Sequence, residues 1–297
     1  MQHAPLTAGE AADRLRGIGL LCAAVATFTV LDTCAKYAGH FVPPLEVAWA
    51  RYFFSVLLSV AFLRPWRRPA EYATRRPILQ IVRSAFLAGS TVLNFIALQY
   101  LQLAETASIT FAMPLFVTAL AGPVLGEWPG PRRWAAVVVG FIGVLIVMRP
   151  TPATFHPAML LSVVGAAFYA GYSLTTRLAS ATESPAGMLI YGSLLAALIL
   201  SPAMPVVGAL PPTWVVAAAL VTTGLTASIG HWFLIAAHRL APPAVLAPFN
   251  YTQLLWMVAA GYLTSGDIPT PSTLIGAAVI VASGLYVLYR ERVHRDR

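Results

Sequence analysis

The stretch GEWPGP at Gly126–Pro131 returns as GDIPTP at Gly266–Pro271, with Gly, an acid and two Pro in the same order 140 residues further along the chain. Each copy lies between two long apolar runs. A weaker identity at the same offset, Ala97 with Ala237, supports a common register. We infer that the chain contains one unit written twice.

The composition excludes an ordinary water-soluble domain. The chain is 58% hydrophobic and 10% charged, with a mean hydropathy of +0.74, whereas soluble domains carry about 25% charged residues. A helix needs about 20 mostly apolar residues to cross a bilayer, and the sequence predicts ten such spans. They cover roughly residues 17–39, 45–63, 77–100, 103–125, 133–148, 157–178, 186–207, 213–237, 243–263 and 271–289. Alternating strand patterns are absent, so we expect helices, which satisfy their backbone hydrogen bonds internally.

The net charge of +8 comes from basic residues whose distribution indicates how the chain is oriented in the membrane. With both termini in the cytoplasm, fifteen of the 19 Lys and Arg fall on the cytoplasmic side, as the positive-inside rule requires. These fifteen are Arg14, Arg16, Arg64, Arg67, Arg68, Arg75, Arg76, Arg132, Arg133, Arg177, Arg239, Arg290, Arg292, Arg295 and Arg297. Only Lys36 and Arg149 fall outside, and Arg51 and Arg83 lie within spans. No nucleic-acid partner is expected.

Five spans per copy is an odd number, so the second copy enters the membrane from the opposite side. The predicted fold is an all-α integral membrane protein with ten transmembrane helices in two inverted five-helix repeats and both termini cytoplasmic. The predicted parts are a cytoplasmic tail at 1–16, repeats at 17–150 and 151–290, and a basic tail at 291–297. Inverted repeats are typical of secondary transporters, which hold substrate near the midplane between the halves. A channel and a structural dimer stay as alternatives.

Ionisable side chains in hydrocarbon cost about 2.5–3.5 kcal/mol each on insertion scales and therefore need partners. Asp32 and Arg51 lie at nearly the same depth in the first and second spans, so an ion pair between them is one prediction. Lys36, one turn beyond Asp32, is the competing partner. The pair has two interpretations, a structural tie between helices or a role in coupling or binding. Arg83, near the cytoplasmic end of the third span, is expected to snorkel to water.

Polar and aromatic residues at mid-depth predict a substrate cavity that suits a flat, mostly neutral organic molecule. Ordinary helix packing is the alternative for each of them. The candidates are Phe28, Asn94, Thr110, Tyr169, Tyr172, His231, Asn250, Tyr251, Gln253 and Trp256. The two His in the eighth span have no clustered acid or Cys, so neither a metal site nor a cofactor is expected.

Two prolines interrupt counterpart helices. Pro114 and Pro248 fall inside the fourth and ninth spans, where each removes an intrahelical hydrogen bond and predicts a kink. The kinks have two interpretations, hinges beside the cavity or ordinary packing. Small residues in the fifth and tenth spans, such as Gly140 and Gly276, allow close backbone approach. They predict a scaffold or a homodimer surface formed by these two helices.

Four segments are distinctive: PLEVAWARYFF at 44–54, the run at 93–120, GEWPGPRRW at 126–134 and the segment at 266–286. They resemble the drug/metabolite transporter superfamily, in its ten-helix, twice-five EamA group. This resemblance implies that helices 1–4 and 6–9 surround a central cavity with helices 5 and 10 at the periphery. Three further phrases resemble a bacterial branch of riboflavin and S-adenosylmethionine uptake transporters. They are RRPILQIVRSAF at 75–86, GHWFLIAAHRLAP at 230–242 and LAPFNYTQLLW at 246–256.

The predicted function is secondary transport of a small organic metabolite across the bacterial inner membrane by a multi-pass protein. A riboflavin-like vitamin is the first expected substrate, and S-adenosylmethionine uptake or export of amino acids or drugs is the alternative. No Walker A motif is present, so direct drive by ATP is not expected. An intramembrane lipid-modifying enzyme would need clustered acids or nucleophiles, which the sequence lacks, so an enzyme is not predicted.

Overall fold

The computed structural model describes residues 8–67, 69–126, 128, 130–149, 155–241 and 243–295, and these contain helices and no strand. We number the helices in chain order. They are α1 (Ala8–Ala38), α2 (Pro44–Leu63), α3 (Pro77–Leu98), α4 (Leu103–Thr110), α5 (Met113–Leu125), α6 (Pro131–Met148), α7 (Ala158–Ala179), α8 (Pro185–Leu200), α9 (Met204–Val207), α10 (Trp214–Leu240), α11 (Pro243–Asn250), α12 (Gln253–Ser265) and α13 (Pro271–Arg295). Short 3₁₀ turns occupy Pro65–Arg67, Pro69–Tyr72 and Ser201–Ala203.

Seven stretches of the described residues are helical, long and apolar enough to cross a membrane. They are Ala12–Ala38, Pro44–Arg67, Pro77–Leu98, Leu103–Leu125, Ala158–Ala179, Pro185–Val207 and Trp214–Leu240. Shorter apolar helices cover Trp134–Met148 and Pro271–Val287. The remaining apolar region, the predicted ninth span, is divided into α11 and α12. The protein is therefore an all-helical membrane protein, while the count of ten spans and the cytoplasmic termini stay predictions.

Each copy of the repeated hexapeptide begins at the end of one helix and finishes at the start of the next. Gly126 and Gly266 close α5 and α12 in the left-handed conformation, with φ of 74° and 69°. Glycine adopts this conformation without the penalty that a Cβ imposes. Pro131 and Pro271 open α6 and α13, where the missing N–H is not needed. The residue Glu127 of the first copy lies outside the described residues.

The fourth and ninth predicted spans are broken at equivalent positions. The first break separates Thr110 from Met113, and the second separates Asn250 from Gln253, 140 residues further on. Pro114 lies in the first turn of α5. It has no N–H to donate to the carbonyl of Thr110, four residues earlier, and its ring clashes with that carbonyl. The predicted interruption near Pro114 is therefore present.

Pro248 accounts for its break less directly. It lies inside α11, two residues before that helix ends. Around both breaks the backbone closes tighter three-residue hydrogen bonds, from Ala112 N to Ile109 O at 3.0 Å and from Tyr251 N to Pro248 O at 3.3 Å. The rings of Phe111 and Tyr251, which are equivalent residues, touch edge-on with centroids 5.1 Å apart. Two equivalent residues in contact lie on the axis that relates the two breaks.

The contact between α6 and α13 is reciprocal. Gly143 faces Ile280 and the backbone of Gly276, while Gly140 faces Ser283. At the offset of 140, Gly143 corresponds to Ser283 and Gly140 to Ile280. The Gly143–Ile280 contact and the Gly140–Ser283 contact are therefore equivalent. Since residue numbers rise along one helix as they fall along the other, the two helices are antiparallel. The turns that precede them therefore lie at opposite ends of the molecule.

Two further helix pairs carry the site and are also antiparallel. Gly17 of α1 lies against Ala237 of α10, and Phe28 lies against Gly230. In the α3–α7 pair, Gly171 lies against Phe86 and Gly165 against Asn94. Each pair joins one helix of the first half to one of the second half. The space between the halves is bounded by these two pairs.

The small residues of α6 and α13 face each other within one chain, and Ser283 donates to the carbonyl of Ala136. Gly284 faces the hydroxyl of Tyr251, which lies between α11 and α12, rather than an outer surface. The homodimer that the sequence suggested through these helices stays a prediction, and the glycines that suggested it are used inside the protomer.

We predict that Gly143→Ala destabilises the protein. A Cβ at this position would lie 2.8 Å from Cγ1 of Ile280 and 3.0 Å from the carbonyl of Gly276, and overpacking of this kind costs about 1–3 kcal/mol. Gly19→Ala in α1 is the matched control, because a Cβ there meets nothing within 4 Å. Unfolding of the two variants in detergent measures the difference. Equal stability would show that the α6–α13 contact does not constrain the fold.

We also predict that the two repeated turns open to opposite compartments. Cys22 and Cys34 are first replaced by Ala, and then Gly130→Cys and Ser265→Cys are introduced one at a time, both at exposed positions. An impermeant thiol reagent added to intact cells should label Ser265→Cys and reach Gly130→Cys only after the cells are opened. Labelling of both from the outside would contradict the inverted arrangement.

Candidate substrate cavity

A cavity of about 180 Å³ lies between the halves. Its walls come from α1, α2, α3, α4, α7, α10 and α12, and none of its lining residues belongs to α6 or α13. The lining residues are Phe28, Leu31, Asp32, Arg51, Leu87, Ser90, Thr91, Asn94, Phe95, Thr106, Ala107, Thr110, Ser162, Gly165, Tyr169, His231, Gln253 and Met257. The cavity therefore combines two charged groups with polar, aromatic and apolar surface.

The two charged groups are held separately rather than as an ion pair. Asn94 donates to Oδ1 of Asp32 at 3.2 Å, and Nη1 of Arg51 donates to the hydroxyl of Thr91 at 3.0 Å. The ion pairs of the described residues do not join Asp32 to Arg51 within 4 Å. The predicted Asp32–Arg51 contact is thus replaced by two contacts to α3, because this helix places both a hydroxyl and an amide between them.

Two residues of the cavity wall each have a polar atom without a hydrogen-bond partner. Nε of Arg51 and Oγ of Ser162 are buried without one, and these residues are 8% and 2% exposed. Most buried polar groups in proteins are hydrogen-bonded, and exceptions require an explanation such as a bound ligand or water. Each half therefore contributes to the cavity one residue with a buried, unsatisfied polar atom.

His231 is fixed by its own helix. Its Nδ1 lies 2.7 Å from the carbonyl oxygen of Ala227, and a carbonyl can only accept, so Nδ1 carries a hydrogen. The imidazole packs edge-on against the ring of Phe28, with centroids 5.1 Å apart and an interplanar angle of 71°. Its position beside the cavity leaves Nε2 as the ring nitrogen available to a ligand.

Most predicted cavity residues line the cavity and four do not. Phe28, Asn94, Thr110, Tyr169, His231 and Gln253 are on its wall, as are Asp32 and Arg51. Tyr172 stacks on Tyr169 and lines a smaller space instead. Asn250 is not on the wall, Tyr251 turns towards Phe111 and Gly284, and Trp256 is 46% exposed on the outer surface. The roles of all these residues stay predictions.

Lys36 is not the partner of Asp32. Its Nζ lies 3.3 Å from Oδ2 of Asp267 and 2.9 Å from the carbonyl oxygen of Leu101. The long side chain extends to the end of α1, where the turn after α12 and the turn after α3 meet. The expectation of an Asp32–Lys36 pair is therefore wrong, and this lysine joins the two halves at one end of the cavity.

Arg83 is buried, so the expectation that it snorkels to water is also wrong. It is 1% exposed, and its guanidinium donates to Oε1 of Gln80, to the carbonyl of Met188 and to the hydroxyl of Tyr172. The α8 backbone and α7 close over the side chain before it reaches the membrane surface.

Gln80 connects this group to Glu183, in the turn between α7 and α8. Nε2 of Gln80 donates to Oε2 of Glu183 at 3.2 Å, and the N–H groups of Arg75 and Arg76 donate to Oε1 at 2.9 and 3.1 Å. Burial raises the pKa of Glu183, but the hydrogen bonds from Thr74, from these two N–H groups and from Gln80 together lower the pKa below its ordinary value. The carboxylate is therefore ionised at neutral pH and joins the halves at the other end.

The cavity residues that sequence reasoning missed follow the helical period. Thr91 lies one turn before Asn94, and Ser162 and Gly165 lie on the same face as Tyr169, seven and four residues away. A search for polar residues at this spacing from the predicted ones would have found them.

A smaller space of about 30 Å³ adjoins the cavity and shares Arg51, Leu87 and His231 with it. Its other walls include Tyr52, Ser55, Ser59, Tyr172, Met188 and Ser228. These positions lie on the side of the cavity that faces Gln80 and Glu183. In the part of the chain that the structure describes, no three His, Cys, Asp or Glu side chains are grouped to hold a metal.

A helical membrane protein with a polar cavity enclosed by two antiparallel halves has the architecture of a secondary transporter. The chain belongs to the EamA-like transporter family, whose model matches residues 15–149 and again residues 156–289. It is accordingly a transporter and not an enzyme, and its apolar helices make it a multi-pass inner-membrane protein.

Relatives with different cargoes are similar over nearly the whole chain. An S-adenosylmethionine uptake transporter of Rickettsia conorii is 29% identical, covering 95% of this chain and 96% of that protein. A riboflavin transporter of Vibrio cholerae is 28% identical, covering 92% and 93%. A pseudopaline exporter of Pseudomonas aeruginosa is 26% identical, covering 89% and 94%. A solved structure described only as "Crystal structure of protein" has a TM-score of 0.63 at 17% identity, over 93% of this chain and 95% of that chain, and shows the fold alone.

We predict that Arg83→Met lowers the free energy of unfolding by about 1.5–3 kcal/mol, because it removes charged hydrogen bonds to Gln80, Tyr172 and Met188. Arg75→Met is the matched control, since its side chain is exposed. Titration with a denaturing detergent, followed by circular dichroism, measures both. A side chain that reached water would make the two variants equally stable, and this result would contradict the buried network.

Proposed function

We propose that the chain is a secondary transporter that moves a small organic metabolite across the inner membrane by alternating access. One observation carries the proposal. A polar cavity with unpartnered buried groups lies between the two halves, and a polar contact joins the halves at each end of it. Such a cavity serves a ligand that enters from one side and leaves to the other.

The two contacts lie at opposite ends. Lys36 binds the carbonyl of Leu101, which follows the last turn of α3. Gln80, which binds Glu183, is in the first turn of the same helix. Since one contact is at each end of α3, opening the Lys36–Asp267 end and opening the Glu183 end expose the cavity to different sides of the membrane.

The Lys36–Asp267 contact is weak enough to break during transport. The side chains of Lys36 and Asp267 are 15% and 25% exposed, and pairs near water contribute about 0–1 kcal/mol. A carrier alternates between states that differ by a few kcal/mol, so contacts of this strength can form and break in each cycle. A continuous pore would need both ends open together.

The driving force has two interpretations. Asp32 and His231 both line the cavity and are the groups through which a proton could be coupled to substrate. Facilitated exchange needs neither. The geometry supports coupling and facilitation equally, and a gradient rather than ATP supplies the energy in both.

The substrate predicted from the sequence is a riboflavin-like vitamin, with S-adenosylmethionine uptake or export of amino acids or drugs as the alternative. Relatives named for two of these cargoes have similar identity to this chain. The cavity adds a physical criterion, because it holds one acidic and one basic side chain. A substrate that carries charge uses these groups, whereas an uncharged one leaves them facing a low-dielectric interior.

Counterflow in proteoliposomes tests the proposal. Liposomes loaded with unlabelled S-adenosylmethionine or riboflavin are diluted into a trace of the same labelled compound, and we expect transient, saturable accumulation of one of them. In a Cys22→Ala, Cys34→Ala background, Lys36→Cys with Asp267→Cys is then joined by a reducible bifunctional thiol reagent. Joining the halves at this end should abolish counterflow, and reduction should restore it.

The single-cysteine variants treated with the same reagent are the controls, since they cannot link the halves. Flux that persists with the Lys36 and Asp267 positions joined would contradict alternating access. Absence of counterflow for amino acids, S-adenosylmethionine, riboflavin and nucleosides alike would contradict small-metabolite transport.

A further inference from the structure

Two residues that line the cavity, one from each half, each keep a buried polar atom without a hydrogen-bond partner. Arg51 of α2 keeps Nε without a partner, and Ser162 of α7 keeps Oγ without one. An unsatisfied buried polar group costs about 1–3 kcal/mol. Nη1 of Arg51 donates to the hydroxyl of Thr91, and the guanidinium lies over the ring of Tyr52. No described residue supplies a partner for Nε, so a water or a ligand group has to supply it.

Two side chains of α3 hold the charged groups of the cavity separately. Thr91 holds Arg51 and Asn94 holds Asp32, and the two holders are three residues apart on one helix face. Opposite charges in a low-dielectric interior attract strongly, so they would close into an ion pair unless something held them. Oδ1 of Asp32 accepts from Asn94, and no other hydrogen bond to this carboxylate occurs among the described residues. The cavity thus offers one anionic and one cationic surface, each with free capacity.

We propose that this cavity binds the α-amino-acid group of a zwitterionic substrate, with the carboxylate on the guanidinium of Arg51 and the ammonium on the carboxylate of Asp32. The inference rests on the transport function proposed above and adds its substrate class. A guanidinium binds a carboxylate through parallel N–H donors, and Nε is one of the donors of that fork. The remainder of the substrate lies against Tyr169, His231 and Gln253, with the hydroxyl of Ser162 as a further hydrogen-bonding group.

This arrangement separates the candidate substrates. S-adenosylmethionine carries an α-amino-acid group and, in addition, a positive sulfonium. Riboflavin carries no full charge at neutral pH, so it would leave both Arg51 and Asp32 without a charged partner. Decarboxylated S-adenosylmethionine lacks only the carboxylate, whereas methylthioadenosine lacks both the α-amino-acid group and the sulfonium charge. These four compounds and the proteinogenic L-amino acids form the test series.

Dissociation constants for the purified full-length chain in detergent give the first test. We expect at least one compound with an α-amino-acid group to bind. If S-adenosylmethionine is bound, we expect decarboxylated S-adenosylmethionine, methylthioadenosine and riboflavin to bind at least about tenfold more weakly. If an L-amino acid is bound instead, the amine that lacks its carboxylate takes the place of the decarboxylated analogue. This series requires no variant, so it does not depend on any substitution being tolerated.

Arg51→Gln gives the second test, with Arg75→Gln as the exposed control. In Arg51→Gln the affinities for the bound compound and its carboxylate-free analogue should converge, because the contact that distinguishes them is absent. Arg75→Gln should keep the full difference. Ser162→Ala should bind the substrate several-fold more weakly while its melting temperature is unchanged or higher, because the hydroxyl has no partner within the protein.

Three results would overturn the inference. These are equal binding of the carboxylate-free analogue by the unmodified chain, full discrimination by Arg51→Gln, and no binding of any compound with an α-amino-acid group. Binding and counterflow of riboflavin alone would remove this substrate class and leave the transport function standing. Absence of counterflow for every compound would remove the transport function itself.

Discussion

Charged side chains within a membrane persist only where other groups hold them, and in this chain α3 supplies those groups. Thr91 holds Arg51, Asn94 holds Asp32, and Gln80 holds the guanidinium of Arg83. Because these residues share one helix, a rotation or shift of α3 would disturb Arg51, Asp32 and Arg83 together. The antiparallel contact of α3 with α7 fixes that rotation, with Gly165 and Gly171 admitting the close approach. The positions of the charged groups in the cavity therefore depend on the position and rotation of α3.

The helix packing of the two halves is close to symmetric, whereas the placement of the charged side chains is not. Phe28 and Phe168, 140 residues apart, each pack on a glycine of the helix that crosses them, Gly230 and Gly89. At the same offset Asp32 corresponds to Tyr172, which instead binds Arg83. Both charged groups of the cavity thus come from the first half, and the second half supplies aromatic and uncharged polar groups. A duplicated fold with one charged half binds an asymmetric molecule in one orientation.

Sequence reasoning reached the helical membrane class and the interruptions near Pro114 and Pro248, because hydropathy and proline are local signals. It was wrong for Lys36 and Arg83, and it included Trp256, which lies on the outer surface. The reason is physical. A membrane helix is apolar on nearly all sides, so its sequence says how deep a residue lies but not which way it points. Partners such as Asp267 for Lys36, 231 residues away, become visible only when the halves are packed together.

The size of the cavity limits what this arrangement can hold without moving. About 180 Å³ is less than the roughly 300–1,000 Å³ typical of small-molecule sites. A single amino-acid headgroup fits that space, whereas an adenosyl or flavin group requires more. The adjoining space shares Arg51, Leu87 and His231 with the cavity and is lined by Tyr52, Ser55 and Ser59, so movement of the three shared side chains extends the cavity along a polar wall. That extension leads towards Gln80 and Glu183, where the halves are joined. In the transport cycle proposed above, we therefore expect a substrate larger than an amino-acid headgroup to extend the cavity towards that end.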